Sequence, residues 1–241
     1  MKPEMTHLIT PFGASRATGL LAGCLLLAAA TRPAVGAESF TVDSSQSYIS
    51  LSGEVLGLTL QEQGSGSLTT HFQGTVVAAI GTDSIQFPGQ SQVVAMDSGS
   101  WQPRADASDG SEPANYGAEA SGFFSTGVAA LRGFEMDITS GAVAFVNGQF
   151  DSQSLTFSVP DGASSSLAYR VDGALQSSGV LSLAGRSLTG QSTLATVTTT
   201  GNLQVLTIPV HYQLYFSLTS QNDTTVTLTG QLVATRSLSG S

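Results

Sequence analysis

Leu203 to Thr219 reads LQVLTIPVHYQLYFSLT, and beyond the polar turn Ser220-Gln221-Asn222-Asp223 the chain continues as TTVTLTGQLVA to Ala234. Side chains alternate along an extended chain, so Leu206, Ile208, Val210, Tyr212, Leu214, Phe216 and Leu218 share one face. Thr207, His211, Gln213, Ser217 and Thr219 take the other. In the second limb Val226, Leu228, Leu232 and Ala234 stand against Thr225, Thr227, Thr229 and Gln231. A period of two in both limbs, joined by a short polar turn, specifies a long β-hairpin. At about 3.3 Å per residue a straight strand over 203–219 would exceed ~50 Å, so it must bend. Pro209, which has no N–H to give a ladder, is the expected place for a bulge or a corner between sheets.

The same alternation recurs upstream. Ile49, Leu51 and Val55 alternate with Tyr48, Ser50 and Glu54, and Leu68, Phe72, Val76, Ala78 and Ile80 with Thr69, His71 and Gln73. Further strands are expected over 84–87, 90–96, 128–139, 142–146, 154–159, 165–171 and 187–199, separated by Gly, Asp and Pro turns such as Pro160-Asp161-Gly162. The pattern predicts an all-β fold: an antiparallel β-sandwich or barrel of about a dozen strands with one long loop.

At the other end of the chain, Lys2 and Arg16 precede the apolar run GLLAGCLLLAAA, residues 19–30, and small residues follow at Val35-Gly36-Ala37. A basic segment, an apolar run too short for a bilayer and a small-residue site are the parts of a secretory signal peptide, expected over 1–37 with cleavage near Ala37. Leu21-Ala22-Gly23-Cys24 also has lipobox form, which would make Cys24 a lipidated terminus, although the apolar run continues past it. The expected domain is then 38–236, with a polar tail over 237–241.

The sole cysteine, Cys24, and the sole lysine, Lys2, both fall in the leader. Residues 38–241 therefore lack thiols and side-chain amines, which excludes thiolate metal sites, thiol nucleophiles and Schiff bases there. These residues carry sixteen acids against five arginines, a net charge near −11. So acidic a chain is a poor partner for nucleic acid or an anionic membrane surface. An outer-membrane barrel would need aromatic girdles, and the chain has one Trp. A disulfide-free exported chain points to a bacterial source. Asn222-Asp223-Thr224 matches a glycosylation sequon and equally a polar turn.

Residues 97–126 break the alternation. They hold Trp101, Arg104 and Tyr116, a set able to bind a sugar, and Asp106, Asp109 and Glu112, a set able to hold calcium. The acids lack EF-hand spacing, and a solvated loop with tucked aromatics fits the same residues. Glu135-Met136-Asp137-Ile138 resembles the catalytic strand of family 16 glycoside hydrolases, which implies a nucleophile and helper carboxylate on one face. Thr139 and Ser140 follow where the acid/base glutamate would stand, and retaining hydrolysis needs two carboxylates about 5 Å apart. His71, Asp83 and Ser98 have the chain order of a chymotrypsin-like triad but too short a spacing for its double barrel. His71 and His211 could share a metal only by meeting in space. Arg132 is expected to sit at a rim or to pair with an acid.

Phe40-Thr41-Val42-Asp43-Ser44-Ser45-Gln46-Ser47-Tyr48-Ile49 resembles the opening of the YceI-like periplasmic barrels, which implies a lipocalin-like barrel binding isoprenoid lipid. Gln61 to Thr70, Gly74-Thr75-Val76 and Pro113-Ala114-Asn115-Tyr116-Gly117 are similar to exported bacterial proteins of the PEP-CTERM-associated kind, without their sorting tail. That resemblance implies export and an all-β fold. The expectation is a secreted or cell-surface, non-enzymatic structural or binding module, recognising glycan or calcium through 97–126, with an extracellular glycan or a surface protein as its partner. The alternatives are a lipid-binding barrel and a glycan-active enzyme using Glu135 and Asp137.

Overall fold

The computed structural model describes residues 36–55, 58–122, 125–174, 176–219 and 222–238. The leader up to residue 35 with Cys24, Ser220 and Gln221 of the hairpin turn, and the last three residues of the tail lie outside these. In chain order the strands are β1 (Glu38–Val42), β2 (Tyr48–Val55), β3 (Leu58–Thr59), β4 (Gln61–Glu62), β5 (Thr69–Ile80), β6 (Ser84–Gln86) and β7 (Gln92–Ala95). Then come β8 (Gly99–Trp101), β9 (Glu112–Ala114), β10 (Tyr116–Ser121), β11 (Ser125–Arg132), β12 (Glu135–Thr139), β13 (Val143–Ala144) and β14 (Gln149–Asp151). The remainder holds β15 (Thr156–Ser158), β16 (Ser166–Gly173), β17 (Ser177–Ser182), β18 (Ser187–Gly190), β19 (Leu194–Thr200), β20 (Leu203–Thr219) and β21 (Asn222–Ser237). The fold is all-β, and no helix among the described residues is long and apolar enough to cross a membrane.

The large sheet closes on itself. Its pairings run β5, β7, β12, β15, β18, β20, β21 and back to β5 through β1 and β2, every neighbour antiparallel. β1 and β2 fill one stave between β5 and β21, interrupted by the turn after Asp43. Asp43 accepts from the Ser45 N–H and hydroxyl, and buried Ser47 stitches the interruption shut by donating to the Val233 carbonyl and accepting from its N–H. Cross-strand partners keep one buried face around the ring: Phe40 lies opposite Val76, Phe72 opposite Ala95, Val93 opposite Met136, and Ile138 opposite Phe157. Leu188, Tyr212 and Leu228 continue it. All are buried, so the interior is a packed core, with the Phe157 and Tyr212 rings 4.5 Å apart.

The staves follow one another in sequence, up and down. Connections β2 to β5, β7 to β12 and β15 to β18 therefore all emerge at the same rim. Those three connections carry β3–β4, β8–β11 and β16–β17, and from them is built the second sheet, ordered β17-β16-β11-β10-β4. The opposite rim is closed by the pairs β6 with β13 and β14 with β19. Alternation of stave direction alone thus gathers three distant insertions into one composite sheet.

The decisive hairpin forms over the predicted residues, with Leu206, Ile208, Val210 and Tyr212 facing the core. Its bend differs from expectation. β20 and β21 stay in register through Pro209, opposite Gln231, and the irregularity falls between Ser217 and Thr219. On its other edge β20 leaves β19 after Thr207 and meets β18 from Tyr212, so Pro209 lies in the gap between partners, where no N–H is needed. The expected strand over 128–139 is two, because Gly133, at φ +58°, turns the chain from the rim sheet into stave β12. The strand over 187–199 likewise divides into β18 and β19.

Candidate functional site

The rim sheet has two unlike faces. Registered partners Tyr116, Leu131 and Leu167, then Ala118, Ala129 and Tyr169, then Ala120, Gly127 and Val171 share the face turned toward Leu51, Leu58 and Leu60. Tyr116 is 1% exposed, its hydroxyl donates to the Ile49 carbonyl at 3.1 Å, and its ring meets Phe134 edge-on, so it anchors the sheet in the top of the barrel core. Burial without a charged neighbour holds its phenol well above the usual tyrosine range. Beyond Tyr116 the floor is only Ala118, Ala120, Gly127 and Ala129. Those small side chains leave the two layers apart and open a groove of about 80 Å³ whose exposed lining is apolar. Leu167, Tyr169 and Val171 form one wall, with Leu58 and Leu60 opposite. The surface can take up apolar groups by dispersion and water release; Glu119 and Arg170 border it, but the atoms it exposes are apolar.

The opposite face is covered by residues 97–115. This segment, expected to be one long loop with 116–126, resolves into the hairpin β8–β9 and the strand β10. In β10 Tyr116, Ala118 and Ala120 alternate with Gly117, Glu119 and Ser121, but alanines on the buried face and a buried glycine on the other leave the hydrophobic contrast weak. The Trp101 ring lies in a cradle of three glycines, Gly64, Gly99 and Gly117, where a Cβ at Gly99 or Gly117 would overlap it. Its Nε1 donates to Ser98 at 2.9 Å. Asn115, which is buried, donates to the Ala95 carbonyl and to Asp97, and accepts from the Phe134 N–H. Arg132 donates to three backbone carbonyls, of Trp101, Pro103 and Pro113, and among the described residues not to an acid at hydrogen-bonding range. Partial burial lowers its guanidinium from the ordinary arginine value, opposed by the charges of Glu112 and Asp97.

The expected sugar-binding set is taken apart by this geometry. Trp101 packs on Gly117 while Tyr116 points from the other face of the same strand, and Arg104 is paired with Glu112 at 2.8 Å. The acids expected to hold calcium have separate partners. Asp106 accepts from the Ser108 hydroxyl and N–H, Asp109 pairs with Arg170, and Glu112 accepts from the Ala105 N–H and Arg104. The Ser108 bonds, led by its hydroxyl, hold Asp106 below the usual aspartate range. The Ala105 N–H and Arg104 do the same for Glu112. Among the described residues no group of three or more His, Asp, Glu or Cys side chains is placed to hold a metal.

Glu135 and Asp137 face outward from β12, between buried Met136 and Ile138, and neither lines the groove. Asp137 accepts from the backbone N–H groups of Ser91 and Ile138. His71 and Asp83 sit near opposite ends of β5, roughly 30 Å apart, so no triad assembles with Ser98. His71 and His211 are separated by three strand spacings, roughly 14 Å. The groove residues escaped the sequence reading, although Tyr116/Ala118/Ala120 and Leu167/Tyr169/Val171 each alternate at a period of two. No family model, curated protein or solved structure matches the chain.

Proposed function

We propose that this chain is an exported, non-enzymatic binding module that holds a small apolar ligand or the apolar end of a larger one in the rim groove. The observation that carries this reading is the alanine and glycine floor, which leaves an apolar space of about 80 Å³ between two layers that larger side chains would have filled. Export rests on the leader-like segment before Ala37. The rival lipid-in-barrel reading draws less support, because Phe72, Met136, Phe157 and Tyr212 occupy the interior that an isoprenoid chain would need. A glycan-cleaving reading needs a second carboxylate beside Asp137 in a cleft, and the groove lies elsewhere.

Titration with the neutral fluorophore N-phenyl-1-naphthylamine tests the proposal, with competition by medium-chain fatty acids, soluble glycans and calcium. Saturable enhancement that fatty acids reverse is the expected result. Absence of saturable binding overturns the proposal, and glycan or calcium binding that leaves the fluorophore in place returns the function to residues 97–126.

A further inference from the structure

The rim sheet ends in an unguarded edge. β17, Ser177-Ser178-Gly179-Val180-Leu181-Ser182, pairs with β16 over six consecutive residues without a register shift and, among the described residues, has no strand on its other side. Edge strands in soluble proteins are ordinarily blunted by charge, proline, a bulge or shortness, and β17 has none of these. Other edges of this molecule do. β4, at the far side of the same sheet, is two residues long and ends on Glu62, and β14 of the barrel sheet is three residues long and ends on Asp151.

The packing also stops short at β17. Gly117, Ala130, Ala168 and Val180 are successive cross-strand partners on the face that residues 97–115 cover. Ala130 and Ala168 are each 1% exposed, whereas Val180 at the end of the row is 50% exposed. An apolar row that is buried strand by strand and then opens at an uncharged edge lacks one more strand.

We propose that the missing strand is β17 of a second copy of this chain, paired antiparallel about a two-fold axis at Val180. A two-fold perpendicular to the sheet keeps each face in common, so Val180 meets its own counterpart, Gly179 meets Leu181 and Ser178 meets Ser182. The apolar row then continues through the axis and both rim sheets merge into one. The local absence of charge permits this occupant here, against the long-range repulsion of two acidic chains. Two acidic molecules can pair backbone to backbone without like charges opposed only along an edge free of carboxylates. Six residues a side is a small interface, so the association is weak and reversible. The proposal is independent of the groove.

Two experiments on the full chain test it together. Sedimentation equilibrium should show a monomer–dimer equilibrium that tightens with added salt, as long-range repulsion is screened. Val180→Asp should raise its dissociation constant about tenfold or more, by setting two carboxylates at the axis, while leaving the thermal midpoint of this exposed position little changed. In a Cys24→Ser background, Val180→Cys should give a covalent dimer under mild oxidation, since directly opposed strand residues lie within disulfide reach. Ser182→Cys should not, because the axis separates two copies of position 182 by about four residues of strand. A chain that stays monomeric at high concentration, a folded Val180→Asp with unchanged association, or equal crosslinking at 180 and 182 overturns the proposal.

Discussion

Replacing Asn115 with alanine isolates the joint between the barrel and its rim sheet. The side chain is 2% exposed, and its amide donates at 3.1 Å to the Ala95 carbonyl and at 3.1 Å to Asp97 while accepting at 2.8 Å from the Phe134 N–H. Ala95 ends stave β7 and Phe134 precedes stave β12, so one side chain ties the insertion to two neighbouring staves. Alanine leaves the buried Phe134 N–H without this acceptor, at a cost of about 1–3 kcal/mol. Losing the two donated bonds adds about 1 kcal/mol each, and a water entering the vacated space offsets part of the whole. The net expectation is a loss of about 2–4 kcal/mol, which for a chain of this size lowers Tm by about 4–16 °C. Thermal unfolding followed by near-UV circular dichroism measures it. Asn115→Asp should lose at least as much at neutral pH, because a carboxylate cannot donate to Ala95 and stands beside Asp97. A fall of under about 2 °C for Asn115→Ala would refute the joint.

Gly74 in stave β5 has φ +114°, and a Cβ there would overlap the Gln92 carbonyl, so Gly74→Ala should cost about 1–3 kcal/mol by urea unfolding. Gly141, with nothing near its Cβ position, should accept alanine within about 0.5 kcal/mol, and equal effects at the two sites would contradict the strain. Glu112 is held below its ordinary value near 4.5 by the Ala105 N–H and by Arg104. Its ionised form therefore stabilises the hairpin fully above that value, and the contribution is lost as pH falls through the lowered one. Fluorescence of the single tryptophan, Trp101, should report loosening on acidification below about pH 4.5. Glu112→Gln should remove that part of the pH response, and an unchanged acid transition would assign it to other groups.

The long hairpin and most staves were legible because one face of each meets a core and the other meets solvent, which writes a period of two into the sequence. β10 was hard to read because its contrast is weak: small alanines stand on the groove face, and the other face begins with Gly117 buried under Trp101 before Glu119 and Ser121. Breaks within long strand-like runs were hidden as well. Gly133 ends β11 through a backbone conformation that composition does not announce, and Pro209 sits harmlessly where β20 changes partners. Trp101, Arg104 and Tyr116 are close in sequence, yet Trp101 packs on one face of β10 and Tyr116 points from the other. The groove depends on Ala118 and Ala129 being opposite one another, and register between β10 and β11 is a long-range outcome of packing. The choice between sandwich and barrel likewise turned on the pairing of β1 with both β5 and β21.

The proposed binding function stands or falls on the groove, and calorimetric titration of N-phenyl-1-naphthylamine into the wild-type chain and Ala129→Leu tests it most directly. Leucine at 129 adds an isopropyl group into a space of about 80 Å³ at a half-buried position. Saturable binding to the wild type is expected, with affinity at least about tenfold weaker for the variant and Tm preserved within a few degrees. Equal affinity in a folded Ala129→Leu would contradict it.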